Sequence, residues 1–181
     1  MTFRRAVTQP RMSAVFSEDR VYRYRLERHW GHDDRPDQVL TVIGLNPSTA
    51  DESTDDPTIR RCIGFARDWG CTGLVMTNLF AFRSTDPTKL TIANRTMHPI
   101  VHPAGIVGDE NDHHILQAAR ASWKSVVAWG RWGRLLGRDH TVLSLLAAHD
   151  VITWAFKLTA SGYPNHPLYL PRNTEPVLWP T

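Results

Sequence analysis

The sequence predicts an α/β fold: three layers, α/β/α, around a central and mainly parallel four-stranded sheet, with an antiparallel edge strand as an optional addition. Two observations carry this. Short, wholly apolar runs alternate with segments of helical period, the pattern of parallel strands joined by crossover helices. Ahead of them, Val21 to Arg28 alternates large apolar and charged residues, as a half-buried edge strand does.

The chain has 181 residues, the size of one domain. Residues 1–14 show no clear period and read as a loose N-terminal leader, leaving 15–181 as a single α/β domain. Gly31 to Pro36 is turn chemistry, and Gln38–Leu45 is the first buried strand. A helix follows: Asp55 or Asp56 caps it, Pro57 suits the first helical position, and Gly70 ends it. Within it, Ile59, Cys62, Ile63, Ala66 and Trp69 recur on one face. Strand Gly73–Leu79 comes next, and Asp86-Pro87 opens a short helix. Beyond a His- and Pro-rich loop at 98–105, residues 109–122 read as a helix and Trp123–Trp129 as a strand. A further helix, 132–148, turns Leu135, Leu136, Val142, Leu145 and Leu146 inward and leads to strand Val151–Phe156. From Ser161 the tail is Pro-rich and irregular. Trp69, Trp123, Trp129 and Trp154 fall on these elements and are expected in the core.

Composition excludes several classes. Two cysteines, Cys62 and Cys71, are too few for a disulfide framework or a cysteine-ligated iron–sulfur cluster. No apolar run is long enough to cross a membrane, and the N-terminus lacks the apolar stretch of a signal peptide, so a cytoplasmic monomer without a membrane partner is expected. The net charge is +3. Arginines crowd the segment from Arg4 to Arg28 and recur at Arg131, Arg134 and Arg138, a distribution that suits either a solvated surface or contact with phosphates. Glu110, Asp112, His113 and His114 carry metal-ligand chemistry. Neighbouring residues on a helix point about 100° apart, however, so no metal and no cofactor is expected.

In parallel sheets, ligands bind beyond the carboxyl ends of strands, where strand order reverses. The loops there hold the chemistry. After the first buried strand comes Gly44-Leu45-Asn46-Pro47-Ser48-Thr49-Ala50-Asp51: Gly44 admits close approach, and Asn46 offers a donor and an acceptor. Asn-Pro-Ser is also ordinary turn sequence. After the second strand, Asn78 can read the edge of a flat heterocycle, and Phe80 or Phe82 can stack on one. After the last, His166 stands between Pro164 and Pro167, which stiffen its backbone.

In this order, the motifs resemble those of the uracil-DNA glycosylase superfamily over residues 38–170. Gly44-Leu45-Asn46-Pro47 matches the first motif, Asn78 the base-reading position, Val126-Val127-Ala128-Trp129-Gly130 an apolar strand ending in Trp-Gly, and His166-Pro167 the last motif. The chain also resembles, more closely, a bacterial and phage family of unknown function marked by Asn46-Pro47-Ser48-Thr49-Ala50, the helix start from Asp56 to Arg61 and the segment from Asn78 to Arg83. The superfamily resemblance implies a uracil-DNA glycosylase-like sheet and hydrolysis of the N-glycosidic bond of a damaged or modified base, uracil-like or a deaminated purine, flipped from DNA into a pocket. By carry-over, Asn46 positions water, with Asp51, Asp55 or Asp56 from the following loop as its aid, although capping the helix at Pro57 is the first role expected of the latter two. Asn78 binds the base beside Leu45 and Phe80, and His166 stabilises charge on the base carbonyl. Ser48, Arg60, Arg83 and Arg131 are the expected phosphate contacts on single- or double-stranded DNA. Two departures stand out: Asn46 is an amide where some members carry a carboxylate, and Leu168 replaces a serine after His-Pro. A hydrolase of free nucleotides or modified nucleosides, and a non-catalytic nucleic-acid or nucleotide-binding module, remain the alternative readings.

Overall fold

A computed structural model describes residues 11–31, 38–97 and 105–179. One seven-stranded mixed sheet runs through them in the order β1-β2-β4-β3-β5-β6-β7: β1 Arg11–Phe16, β2 Arg23–His29, β3 Val39–Gly44, β4 Gly73–Asn78, β5 Lys124–Val127, β6 Thr153–Ala155 and β7 Val177–Leu178. Strands β4, β3, β5 and β6 are mutually parallel, whereas β1, β2 and β7 pair antiparallel at the two edges.

This overturns the expected four-stranded, mainly parallel, uracil-DNA glycosylase-like sheet. Antiparallel pairing accounts for both edges, and two consecutive antiparallel strands, rather than one optional strand, extend the β4 side. Arg11 to Ala14, expected in the leader, belong to β1, in register with β2 from His29 to Leu26; residues 1–10 lie outside the described residues. The tail is less irregular than expected, since Val177 and Leu178 pair with Ala155 and Trp154.

Two apolar clusters form on opposite faces of the sheet, as the period-2 alternation of strand side chains requires. On one face, Leu40 and Val42 of β3 with Leu74 and Met76 of β4 meet Ile59, Cys62, Phe65 and Ala66 of helix α1, Pro57–Asp68. Phe65, Trp69 and Phe156 close this side with ring centroids 4.8 to 5.7 Å apart. On the other face, Ile43, Val127 and Ala155 meet α2 (Thr88–Thr96), α3 (Asn111–Arg120) and α4 (Arg138–Ala147).

Helix α1 follows its sequence signals. Asp56 Oδ1 accepts from Ile59 N at 2.8 Å, Pro57 occupies the first turn, and Gly70 exits at φ +78°. The helix expected over 132–148 is instead two pieces. A 3-10 stretch, Gly130–Gly137, breaks at Leu136 (φ +56°) and Gly137 (φ +65°) before α4 begins. The left-handed turn carries Leu136 out to solvent, 57% exposed, against its expected place in the core. Trp123 also departs from expectation at 47% exposed, with Lys124 Nζ 4.7 Å from its ring centroid. No helix among the described residues is long and apolar enough to cross a membrane.

The stretch between β3 and α1 has no ladder of its own, and β2 supplies its donors. Arg28, 3% exposed, donates from Nε to Asp55 Oδ1 at 2.8 Å, from Nη2 to the carbonyls of Asp51 (2.7 Å) and Thr54 (3.3 Å), and from Nη1 to those of Glu27 and Ser13. Removing a guanidinium so placed leaves a carboxylate and several carbonyls without donors. Arg28→Ala is expected to lower unfolding free energy by about 3 kcal/mol, the low end for a broken buried ion pair. Arg28→Lys should fall between it and the parent, read by urea unfolding at pH 7.

Candidate active site

Strand β3 passes the chain to β4 on one side, and the chain later returns to β5 on the other. The loops leaving β3 and β5 therefore diverge and open a crevice at their carboxyl ends. A cleft of about 420 Å³ lies there, lined by Gly44, Leu45, Asn46 and Ser48 after β3, Asn78 at the end of β4, Trp129 and Trp132 after β5, and His166 to Tyr169 from the tail. Sequence motifs more than a hundred residues apart thus meet at one place.

Asn78 is the deepest polar group. It is 1% exposed, and neither Nδ2 nor Oδ1 has a hydrogen-bond partner. A buried amide left bare in this way costs about 1–3 kcal/mol per unmet group, so Asn78 is the cleft group with most to gain from a bound partner. Its backbone is held from behind. Asn111 Nδ2 donates to the carbonyls of Asn78 and Leu79 at 3.0 and 2.9 Å, and Arg138 Nε to that of Leu79 at 2.8 Å while pairing with Asp112. In front, Gly44 makes the room: a Cβ there would stand 2.8 Å from Asn78 Oδ1 and 2.7 Å from Met76 Cε.

Asn46 is oriented by two donations from Nδ2, to Ser84 O at 2.8 Å and Pro47 O at 3.1 Å, which leaves Oδ1 as a fixed acceptor. His166 sits on a segment tied to the β5 loop by Gly130 N donating to Pro164 O at 2.8 Å. Its Nδ1 accepts from Leu168 N at 3.4 Å, capping the 3-10 turn Pro167–Tyr169 and thereby placing the proton of the neutral ring on Nε2. Desolvation lowers its pKa below the ordinary 6.5, with Asp56 pulling the other way. The residue is nonetheless exposed to solvent where it lines the cleft.

Leu45 and Ser48 line the cleft as expected, and Ser48 also borders an adjoining open basin of about 690 Å³ that holds Arg83, Lys89, Phe82 and several hydroxyls. Other expected residues are elsewhere. Phe80 is fully buried in the helix-side core and cannot stack on a ligand. Asp51 does not line the cleft; its Oδ1 accepts from Ser53 N, Ser53 Oγ and Thr54 N, and these bonds hold its pKa below the usual carboxylate value. Arg83 belongs to the basin, while Arg60 lies by Arg61, Arg67 and Arg172 and donates to Asp55 O. Arg131 is exposed beside Gly130 and does not line the cleft. Glu110 pairs with His114 at 3.4 Å and Asp112 with Arg138, and no group of three or more candidate ligands forms among the described residues.

Two further charged residues line the cleft. Asp56, expected first as a cap and otherwise as an aid to Asn46, is the one carboxylate lining the cleft among the described residues, with Oδ1 committed to Ile59 N. Arg23, from the start of β2, is 2% exposed and ionises less readily in its desolvated setting, with a pKa of about 10. The alternation of β2 gave a signal, since Arg23 falls among buried tyrosines. Only the antiparallel pairing of β2 with β4, which brings Arg23 N to Ala81 O at 2.9 Å, shows that it reaches this end of the sheet.

Over residues 23–168 the chain matches the family described as Protein of unknown function (DUF1643), and it belongs to that family. Compared with curated proteins and with solved structures, it gives no match.

Two outcomes check this geometry. In an NMR titration, the His166 ring should show a midpoint below 6.5. Because burial disfavours the charged ring, any contribution of this group to stability is present above its unfolded pKa and falls away as the pH drops below it. Gly44→Ala should fold with a loss of roughly 1–3 kcal/mol and rotate the Asn78 amide, seen by denaturant unfolding and in a crystal structure of the variant.

Proposed function

We propose that the cleft takes a modified or damaged nucleobase flipped from a nucleic-acid strand and hydrolyses its N-glycosidic bond. The observation that carries this reading is the buried, unpartnered amide of Asn78 on the cleft floor. An amide presents one donor and one acceptor side by side, the complement of the C(=O)–N–H edge of an oxo-base. The resemblance of the Gly-Leu-Asn-Pro, Asn78 and His-Pro motifs to those of the uracil-DNA glycosylase superfamily supports the same reading through the site, independently of sheet topology.

The chemistry follows from the groups around the amide. The bond from sugar C1′ to the base nitrogen breaks with its electron pair going to the base, so negative charge grows on the base carbonyl and positive charge on the sugar. The Nε2–H of His166 donates to that oxygen, a contribution of roughly 3–4 kcal/mol for a preorganised donor. Asn46 Oδ1 orients the water that adds to C1′. Asp56, through its oxygen not used in the cap, faces the cationic sugar and accepts the proton the water loses. The departing base takes up a proton from solvent. The adjoining basin, with Arg83 and Lys89 and no carboxylate in its lining among the described residues, suits the phosphates of a flanking strand.

The test is a panel of labelled single- and double-stranded oligonucleotides holding uracil, hypoxanthine, xanthine and oxidised or alkylated bases, with alkali cleavage reporting abasic sites. Cleavage at one lesion, reduced roughly a hundredfold or more in His166→Ala and abolished in Asn78→Ala, is the expected result. A folded protein that leaves every strand intact rejects strand hydrolysis and favours the non-catalytic or free-nucleotide alternative.

A further inference from the structure

We propose that the base selected by the cleft is a 6-oxopurine such as hypoxanthine, read by Asn78 on one edge and by Arg23 on the other. The inference rests on the reading that the cleft takes a nucleobase, and it does not require hydrolysis.

Of the buried side chains with an unpartnered polar atom, Arg23 and Asn78 are the two that line the cleft among the described residues. Among the described residues Arg23 has no ion pair. Its Nη1 donates to Ala50 O at 2.8 Å, and its Nε is buried without a partner. Among the described residues Nη2 makes no hydrogen bond either, so the side-on edge of the guanidinium, Nε with Nη2, is unspent there. A cation this deep costs several kcal/mol in lost hydration unless something accepts from it.

The two unmet groups define their complement. Asn78 asks for a carbonyl beside an N–H. The free edge of Arg23 asks for two adjacent acceptors, the arrangement of a purine O6 and N7, which a guanidinium meets with two parallel bonds. A 6-oxopurine carries both edges around one oxygen: N1–H and O6 for the amide, O6 and N7 for the guanidinium, with O6 accepting one bond from each in the neutral base and a further one, from His166, only once it carries negative charge. Uracil offers the amide edge, but a C–H stands where N7 would be. Adenine has N7, yet its amino group points a donor at the guanidinium. Trp129 and Trp132 supply flat apolar surface for a two-ring base.

The N7 atom is the discriminating probe. Calorimetric titration of the protein with free hypoxanthine, 7-deazahypoxanthine and uracil should show hypoxanthine binding roughly tenfold or more tightly than either of the others. Arg23→Lys keeps the charge and loses the fork, so it should erase the difference between hypoxanthine and its 7-deaza analogue. Asn78→Ala should weaken both by the same factor. Equal affinity of the wild type for the two purines overturns the proposal, as does an equal or higher affinity for uracil, a ratio that survives in Arg23→Lys, or no binding of any base. Should Arg23→Lys fail to fold, the comparison in the wild type decides alone. The two readings separate cleanly: N7-dependent binding without abasic sites keeps this inference and rejects hydrolysis, whereas abasic sites without an N7 effect do the reverse.

Discussion

Two guanidinium groups on one antiparallel strand hold the irregular stretch from which the candidate site is made. Between β3 and α1 the chain crosses the top of the sheet with no ladder to satisfy its carbonyls. Unmet polar groups in so packed a place are costly. Arg28 donates to Asp51, Thr54 and the Asp55 carboxylate, and Arg23 donates to Ala50. Arginine alone among side chains has enough fixed donors to serve several acceptors at once. The consequence reaches past the loop. Its far end is Asp56, whose cap sets the first turn of α1, and its near end is Asn46, whose amide is in turn pinned to Ser84.

The same strand explains why the sheet is larger than its parallel core needs. Four parallel strands would suffice to open a crevice between the β3 and β5 loops. Strand β2 runs the other way, so its first residue, not its last, lies at the carboxyl ends of the parallel set. That reversal brings Arg23 into the cleft and directs Arg28, farther along β2, to the Asp51–Asp55 end of the loop. The edge strands therefore contribute to the site as well as to the sheet.

Much of this was legible from residues. Asp56-Pro57 followed by an apolar stripe and Gly70 announces α1 because each signal answers a local need of the backbone. The strand runs of β3 and β4 are apolar on both faces because helices cover both. Convergence of Gly44, Asn46, Asn78 and His166 was legible through the rule that loops at strand ends share a crevice. What escaped depended on partners distant in sequence. β1 and β7 are strands because a neighbour accepts them, and the two residues Val177 and Leu178 carry no pattern. The break at Leu136 gives no warning beyond the glycine that follows it, since a leucine at positive φ contradicts local preference. Phe80, two residues after Asn78, was assigned to the ligand by proximity in sequence, but a buried neighbour on the helix side claims it.

The electrostatics of the cleft bear on the absence of a carboxylate at position 46. In the proposed hydrolysis, the glycosidic bond is largely broken before water bonds to the sugar, so the barrier lies in separating charge more than in activating the nucleophile. A site can then dispense with a strong base at the water if it stabilises both charges that form. Arg23, His166 and Asp56 all line the cleft; in the proposed reaction the first two would meet the base, where negative charge collects, and Asp56 the sugar. In the free protein the charge of Asp56 favours the charged form of Arg23 against the larger effect of desolvation, with no hydrogen bond between them among the described residues. In the proposed reaction, the charge separated in the breaking bond would lie between them and strengthen both interactions as it grows. Groups arranged in this way favour the transition state over the ground state. By this reasoning Asn46 needs only to hold the water in place, a task for which a pinned amide oxygen is sufficient.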